Sequence, residues 1–370
     1  MDEITIYQGL FDLFLWGIIF VILRPALNTP FKLKRSSRII GIGLILLFCL
    51  FPFWAGDYFH SRDTFFNIKH GGLSHFESVY VWIINNVATS YFMFRFLVWG
   101  GALTLLLLAY KRIGLSFDLA LFYFGALYLP LFSYARASLA MAILIFGMSL
   151  FYVPLGKSKI ISFVLGFVVI SSSFFFHRSA IIGIFAVLMS FFLKENSKKK
   201  TILLLTLIPI GAFLLSSLLD NLLILDVDSV DEVMSNKIDS YLGRDAVEKG
   251  LARKISDFIT RTPMFISAVL YVVLVIKGHY KSFTKPERAV ASYMFCIMLI
   301  AFGFSLNLGY NTYVFYYRTI NYALPANALF LTSIRGRRLG GTLFKVIYFM
   351  ALAAACYSLL YSTYMGYNRM

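Results

Sequence analysis

Apolar runs of about 17 to 22 residues, parted by short clusters of lysine and arginine, follow one another along almost the whole chain. A helix rises about 1.5 Å per residue, so each run can cross the ~30 Å hydrocarbon layer of a bilayer. Inside lipid the backbone must satisfy its own hydrogen bonds, which makes helices the natural structure for such runs. The pattern predicts an all-α, polytopic integral membrane protein with about twelve transmembrane helices. They fall near 7–23, 38–56, 92–110, 116–135, 137–153, 159–176, 179–193, 201–218, 263–277, 288–306, 314–333 and 342–361. Only 14% of the 370 residues are charged and 59% are hydrophobic, whereas a soluble domain carries about 25% charged residues. The formal charge of +16 does not signal nucleic acid, because the basic residues are confined to the gaps between runs, where they report topology.

Alternate gaps hold the basic clusters: Arg24, Lys32, Lys34, Arg35 and Arg38; Lys111 and Arg112; Lys157 and Lys159; Lys194 and Lys198 to Lys200; Lys277, Lys281, Lys285 and Arg288; Arg335, Arg337 and Arg338. The positive-inside rule places these in the cytoplasm and both termini outside. The stretch 76–91 is apolar enough to resemble a span, yet counting it would put every later cluster on the wrong side, so it is expected to be an interfacial or re-entrant helix. The start, Met1-Asp2-Glu3, lacks the basic segment of a cleavable signal peptide, so the first run is expected to persist as a helix. With no repeat of fixed period, 1–370 reads as a single transmembrane domain. Its extracytoplasmic loop, 219–262, carries apolar residues at helical spacing from Ile238 to Ile259, which predicts an amphipathic helix near 236–260, acting as a lid.

The unusual polar residues gather on the predicted outer side. Arg136, Arg178 and Arg318 sit at the outer ends of spans far apart in sequence. An arginine at the centre of a membrane helix costs about 2.5–3.5 kcal/mol, and less near the interface. Each either snorkels to lipid headgroups or faces a cavity. Converging guanidiniums would form a clamp for pyrophosphate, whose oxygens match their fork of donors. His177, in the segment FFFHRSA, is a candidate base or hydrogen-bond donor. Asp57, Asp63 and Glu77 supply carboxylates that would orient a sugar, act as base or pair with the arginines; for Asp63 and Glu77 the alternative is a solvated loop charge. Cys49, Cys296 and Cys356 lie in apolar runs without paired or zinc-ligand spacing. No Walker loop, HExxH or nucleophile elbow is present, and Asp226-Val227-Asp228 only weakly mimics a divalent-metal motif, so no metal or other cofactor is expected.

The order of landmarks along the chain carries a resemblance: Gly56-Asp57-Tyr58, then YARASLAMAI with Arg136, then FFFHRSAIIGI with His177 and Ser179, then YYRTINYALP with Tyr316, Tyr317, Arg318 and Tyr322. This resembles the EpsG family of exopolysaccharide and O-antigen polymerases, often called Wzy-type. The family pattern does not call for a charge between His177 and Ser179, so Arg178 stands apart. The resemblance implies a GT-C-like fold in the bacterial inner membrane, with its site facing the periplasm or exterior. It implies transfer of a glycan from undecaprenyl pyrophosphate to the non-reducing end of a lipid-linked repeat unit. It assigns Arg136 and Arg318, with Arg178 as a third, to the pyrophosphate, and His177 or Asp57 to the acceptor hydroxyl. Tyr58, Tyr317 and Tyr322 would contact sugars, as would Asp63 and Glu77. A chain-length regulator and a flippase are the partners implied, beside membrane lipid. The competing readings are a flippase or other transporter of the same lipid-linked oligosaccharide and a ligase-like transferase.

Overall fold

The computed structural model describes the backbone of residues 6–28, 30–51, 57–72, 74, 76–113, 116–132, 135–156, 158–193, 198–225, 251–306, 316 and 318–367. Among these residues every regular element is helical. The α-helices are α1 (Ile6–Leu23), α2 (Arg35–Leu50), α3 (Asp57–Lys69), α4 (Ser78–Asn86), α5 (Tyr91–Ile113), α6 (Phe117–Phe122), α7 (Ala135–Tyr152), α8 (Lys159–Phe176), α9 (Ala180–Phe192), α10 (Lys198–Leu225), α11 (Leu251–Ile276), α12 (Lys285–Ser305), α13 (Leu324–Gly336) and α14 (Gly341–Tyr367). Helix occupies each of the twelve expected segments. Among the described residues seven helices are long and apolar enough to cross a membrane: Tyr7–Leu27, Tyr91–Ile113, Lys159–Phe176, Lys198–Ser217, Ile259–Ile276, Lys285–Ser305 and Gly341–Tyr361. The apolar stretches Phe117–Leu131, Arg136–Tyr152 and Ala180–Phe192 are shorter, and the 13 residues of α13 reach only about 20 Å.

Two segments differ in detail from the sequence expectation. The 76–91 stretch divides into α4, only 9 residues long, a break at Val87–Ser90, and the start of α5 at Tyr91. At about 13 Å, α4 cannot span a bilayer. The expected lid helix near 236–260 falls largely on residues 226–250, outside the described ones. Its last part, from Leu251, is not a separate surface helix: it forms the first turns of α11, which continues through Pro263 to Ile276. Thr260 and Arg261 are buried there. Proline within a membrane helix is tolerated when neighbouring groups satisfy the carbonyl it frees, here that of Ile259; one turn further on, Ser267 donates its hydroxyl back to Pro263 O at 2.9 Å.

At the centre of the bundle stands α12, buried over almost its whole length, while α8 turns mostly apolar, exposed side chains outward. Glycines allow one especially close crossing: a Cβ on Gly147 of α7 would lie 3.2 Å from Gly166 O of α8, and one on Gly166 would lie 3.0 Å from Gly147 O. Small residues at such contacts let membrane helices approach without lipid between them. α6 runs on as a π-helix over Tyr123–Tyr128 and a 3₁₀ turn over Leu129–Leu131, buried throughout. The loosened ladder accepts outside donors, and Trp16 Nε1 donates to Ala126 O at 2.9 Å.

Polar contacts sort the connections into two groups at opposite ends of the helices. At one end Arg38 forms a two-pronged ion pair with Asp118 at 2.6 and 2.7 Å, and Leu33 N donates to the same carboxylate at 2.8 Å. Arg337 likewise grips Glu287 with two bonds of 2.7 Å, and Arg112 reaches Val153 O and Ser149. These contacts join connections that all belong to the basic set. At the other end the tips of α4, α7, α8 and the segment before α13 meet.

Candidate functional site

Glu77 caps the N-terminus of α4 in extended backbone conformation, and its side chain is only 11% exposed. Its Oε2 accepts from Arg136 Nη1 at 2.9 Å, and its Oε1 lies 3.0 Å from His177 Nδ1. Phe76, the preceding residue, places its ring under the Arg136 guanidinium, 4.1 Å from Cζ to the ring centre. Tyr80, one turn into α4, donates its hydroxyl to Arg136 O at 3.1 Å. Thus α4 fixes both the side chain and the backbone of Arg136 at the start of α7.

Burial would raise the Glu77 carboxyl, but the hydrogen bond from His177 and the charges of Arg136 and His177 outweigh it and lower the pKa to about 2. An ionised carboxylate only accepts hydrogen bonds, so Nδ1 of His177 is the donor. Nε2 is then the ring nitrogen left for a ligand, and in the neutral ring it carries the lone pair.

His177 ends α8, and Arg178 and Ser179 make the tight turn into α9. Facing it, residues 318–321 form a helical turn just before α13. The i, i+3 and i+4 spacing in this turn puts Arg318, Asn321 and Tyr322 side by side. A cavity of about 70 Å³ lies between them, lined by Arg136, Ala137, His177, Ser179, Arg318, Asn321 and Tyr322. Tyr322 is fully buried, and its hydroxyl pairs with Ser179 Oγ at 3.1 Å. Gly183 on α9 makes room for this tyrosine: a Cβ there would lie 3.2 Å from Tyr322 Cδ1 and 2.4 Å from Leu144 Cδ1.

Of the residues singled out from sequence, Glu77, Arg136, His177, Arg318 and Tyr322 meet in or beside this cavity. Arg178 does not: it is exposed on the turn. Asp63 is also exposed, in α3, with its carboxylate 3.5 Å from Arg62. Tyr58 packs edge-on against Tyr91 at 5.4 Å instead of lining the cavity. Asp57 opens α3 rather than ending the second span; its side chain and Tyr317 lie outside the described residues.

Sequence reading passed over Asn321 and Arg95. Asn321 stands in the same YYRTINY segment as Arg318, three residues on, a spacing that reveals it once that segment is taken as helix. Arg95 is hidden in the apolar run of α5 and is 3% exposed. It donates to Cys49 O at 2.6 Å and Leu50 O at 3.1 Å, capping the C-terminus of α2. It also reaches the Tyr91 hydroxyl at 3.3 Å, which in turn donates to Tyr58 O at 2.8 Å. The end of α2 and Tyr58, near the start of α3, are thereby tied to α5. Among the described residues no group of three His, Cys, Asp or Glu side chains is placed to hold a metal ion.

The cavity therefore offers two guanidiniums, an imidazole oriented by a carboxylate, and neutral hydrogen-bonding groups, a set suited to an anionic leaving group and a hydroxyl nucleophile. The EpsG family model matches residues 37–369. No curated protein and no solved structure matches the chain.

Proposed function

The chain belongs to the EpsG family of exopolysaccharide-polymerase-type membrane proteins, and from that premise we propose that the Glu77–Arg136–His177–Arg318 cavity transfers a glycan from a lipid pyrophosphate to a lipid-linked acceptor. In this reading the donor is undecaprenyl-pyrophosphate-linked, the acceptor is the non-reducing end of a newly delivered repeat unit, and the cavity opens on the outer face of the bacterial inner membrane. The twelve helical segments form a GT-C-like membrane domain with both termini outside, served by a flippase and a chain-length regulator.

The chemistry follows from the side chains. The acceptor hydroxyl gives its proton to His177 Nε2 as its oxygen bonds to the anomeric carbon. The bond from that carbon to the phosphate oxygen breaks, and the electron pair leaves with the pyrophosphate. Arg136 and Arg318 stabilise the charge that grows on the leaving group, with no metal required. Glu77 takes one donor of Arg136, and the guanidinium keeps further N–H groups for phosphate. Through Nδ1 the same carboxylate holds the imidazole in place and stabilises the imidazolium formed by proton transfer. The observation that carries the reading is this shared carboxylate, one oxygen on an arginine and the other on the histidine.

The test is made in a host strain whose own gene is replaced by variants. Arg136→Ala and Arg318→Ala are each expected to abolish long-chain glycan while the protein still inserts in the membrane. Normal long chains from either variant would refute the clamp.

A further inference from the structure

Asn321 is 2% exposed and lines the cavity with His177 and Arg318. Among the described residues its Oδ1 has no hydrogen-bond partner. A buried polar atom is seldom left in that condition, since it has lost water and gained nothing in return. An unpartnered acceptor on a residue that lines a binding cavity calls for a ligand that donates. Phosphate oxygens accept, so they satisfy Arg136 and Arg318 but not this atom. A sugar hydroxyl donates, and because it also accepts, it complements the carboxamide in either orientation of the amide.

The attacking hydroxyl has one proton and gives it to His177, so it cannot serve Asn321 as well. We infer that Asn321 binds the acceptor sugar by accepting a hydrogen bond from a hydroxyl neighbouring the one that reacts. This rests on the glycan-transfer reading of the cavity and divides that cavity by chemistry: the arginines take the donor's pyrophosphate, while Asn321 takes the acceptor's sugar. The position of Asn321 one turn from Arg318 brings the two substrates together on a single stretch of backbone.

The experiment uses full-length protein in detergent. The saturating donor is the lipid-linked repeat unit accumulated by a host strain lacking this protein. The acceptor is the same oligosaccharide released from its lipid by mild acid, varied in concentration. Asn321→Ala is expected to raise the acceptor KM about three- to tenfold and leave the donor KM within twofold of wild type. Asn321→Leu, similar in size but apolar, should shift the acceptor KM in the same way. It should also leave the melting temperature of the substrate-free protein unchanged or higher, because no acceptor is then left unsatisfied. An unchanged acceptor KM in both variants would overturn the inference, as would an equal rise in the donor KM. A Leu variant that melts several degrees lower would make Asn321 structural and likewise overturn it. If wild-type protein joins no repeat units at all, lipid-linked or released, the transfer reading itself fails, and the inference falls with it.

Discussion

Arg136 and His177 are joined through Glu77, which accepts from the arginine at 2.9 Å on one oxygen and from the histidine at 3.0 Å on the other. Replacing Glu77 by Gln removes the charge and sets an N–H₂ group against one of the two donors. Initial rates of glycan extension should fall at least about tenfold, toward the 10²–10⁴-fold scale of general-base catalysis, while the protein still purifies as a single species. A Gln variant with wild-type rates would sever the carboxylate from the chemistry.

The same carboxylate makes stability depend on pH. Its pKa falls from an ordinary 4.5 to about 2 in the folded protein, so on acidification the unfolded chain takes up the proton first. The stabilisation, roughly 3 kcal/mol in scale, is complete above about pH 4.5 and is lost as pH falls toward 2. The melting-temperature gap between wild type and Glu77→Gln in detergent should shrink as pH falls below 4.5. A gap independent of pH down to 3 would contradict this origin.

Arginines at the end of the bundle that holds the cavity should differ sharply in importance. Arg178 is exposed, so Arg178→Ala is expected to leave chain length and amount near wild type. Arg136→Lys keeps the charge but loses the planar fork that spans Glu77 and a phosphate, and should lose most polymer. Polymer from the Lys variant matching that of the Arg178 variant would show that charge alone suffices.

Arg95 is expected to act through position. Arg95→Met leaves the carbonyls of Cys49 and Leu50 without their charged donor, where each such bond contributes about 1.5–3 kcal/mol. Tyr91→Phe loses the single bond to Tyr58 O, worth about 1 kcal/mol. Thermal unfolding in detergent should rank wild type above Tyr91→Phe and Tyr91→Phe above Arg95→Met. Reversal of that order would remove Arg95 as the anchor of the α2–α3 joint.

Much of the fold was readable because length and hydropathy determine what a bilayer admits. Charge alternation also excluded 76–91 as a span, and α4 is indeed too short to cross. Pairing of Glu77 with an arginine was one of several readings the sequence left open, beside a solvated loop charge. In the polar stretch 55–77 a carboxylate that pairs looks the same as one in water, and its partners lie 59 and 100 residues away. Arg95 was concealed for a similar reason: its ligands are the last carbonyls of α2, exposed to it only when α2 and α5 pack. Arg136, His177 and Arg318 were legible as polar residues at apolar helix ends, where solvation cost makes their presence informative. The start of α11 lies at Leu251, ahead of the expected span, because an amphipathic pattern does not distinguish a separate helix from the first turns of a longer one.

The most direct test of the cavity's function is extension by purified full-length protein of lipid-linked repeat units taken from a host strain lacking it. The expected result is a ladder of oligomers attached to lipid pyrophosphate, lost in both His177→Ala and Arg318→Ala. Repeat units that stay single with the wild-type protein, yet cross the membrane of liposomes containing it, would contradict glycan transfer and make the protein a transporter.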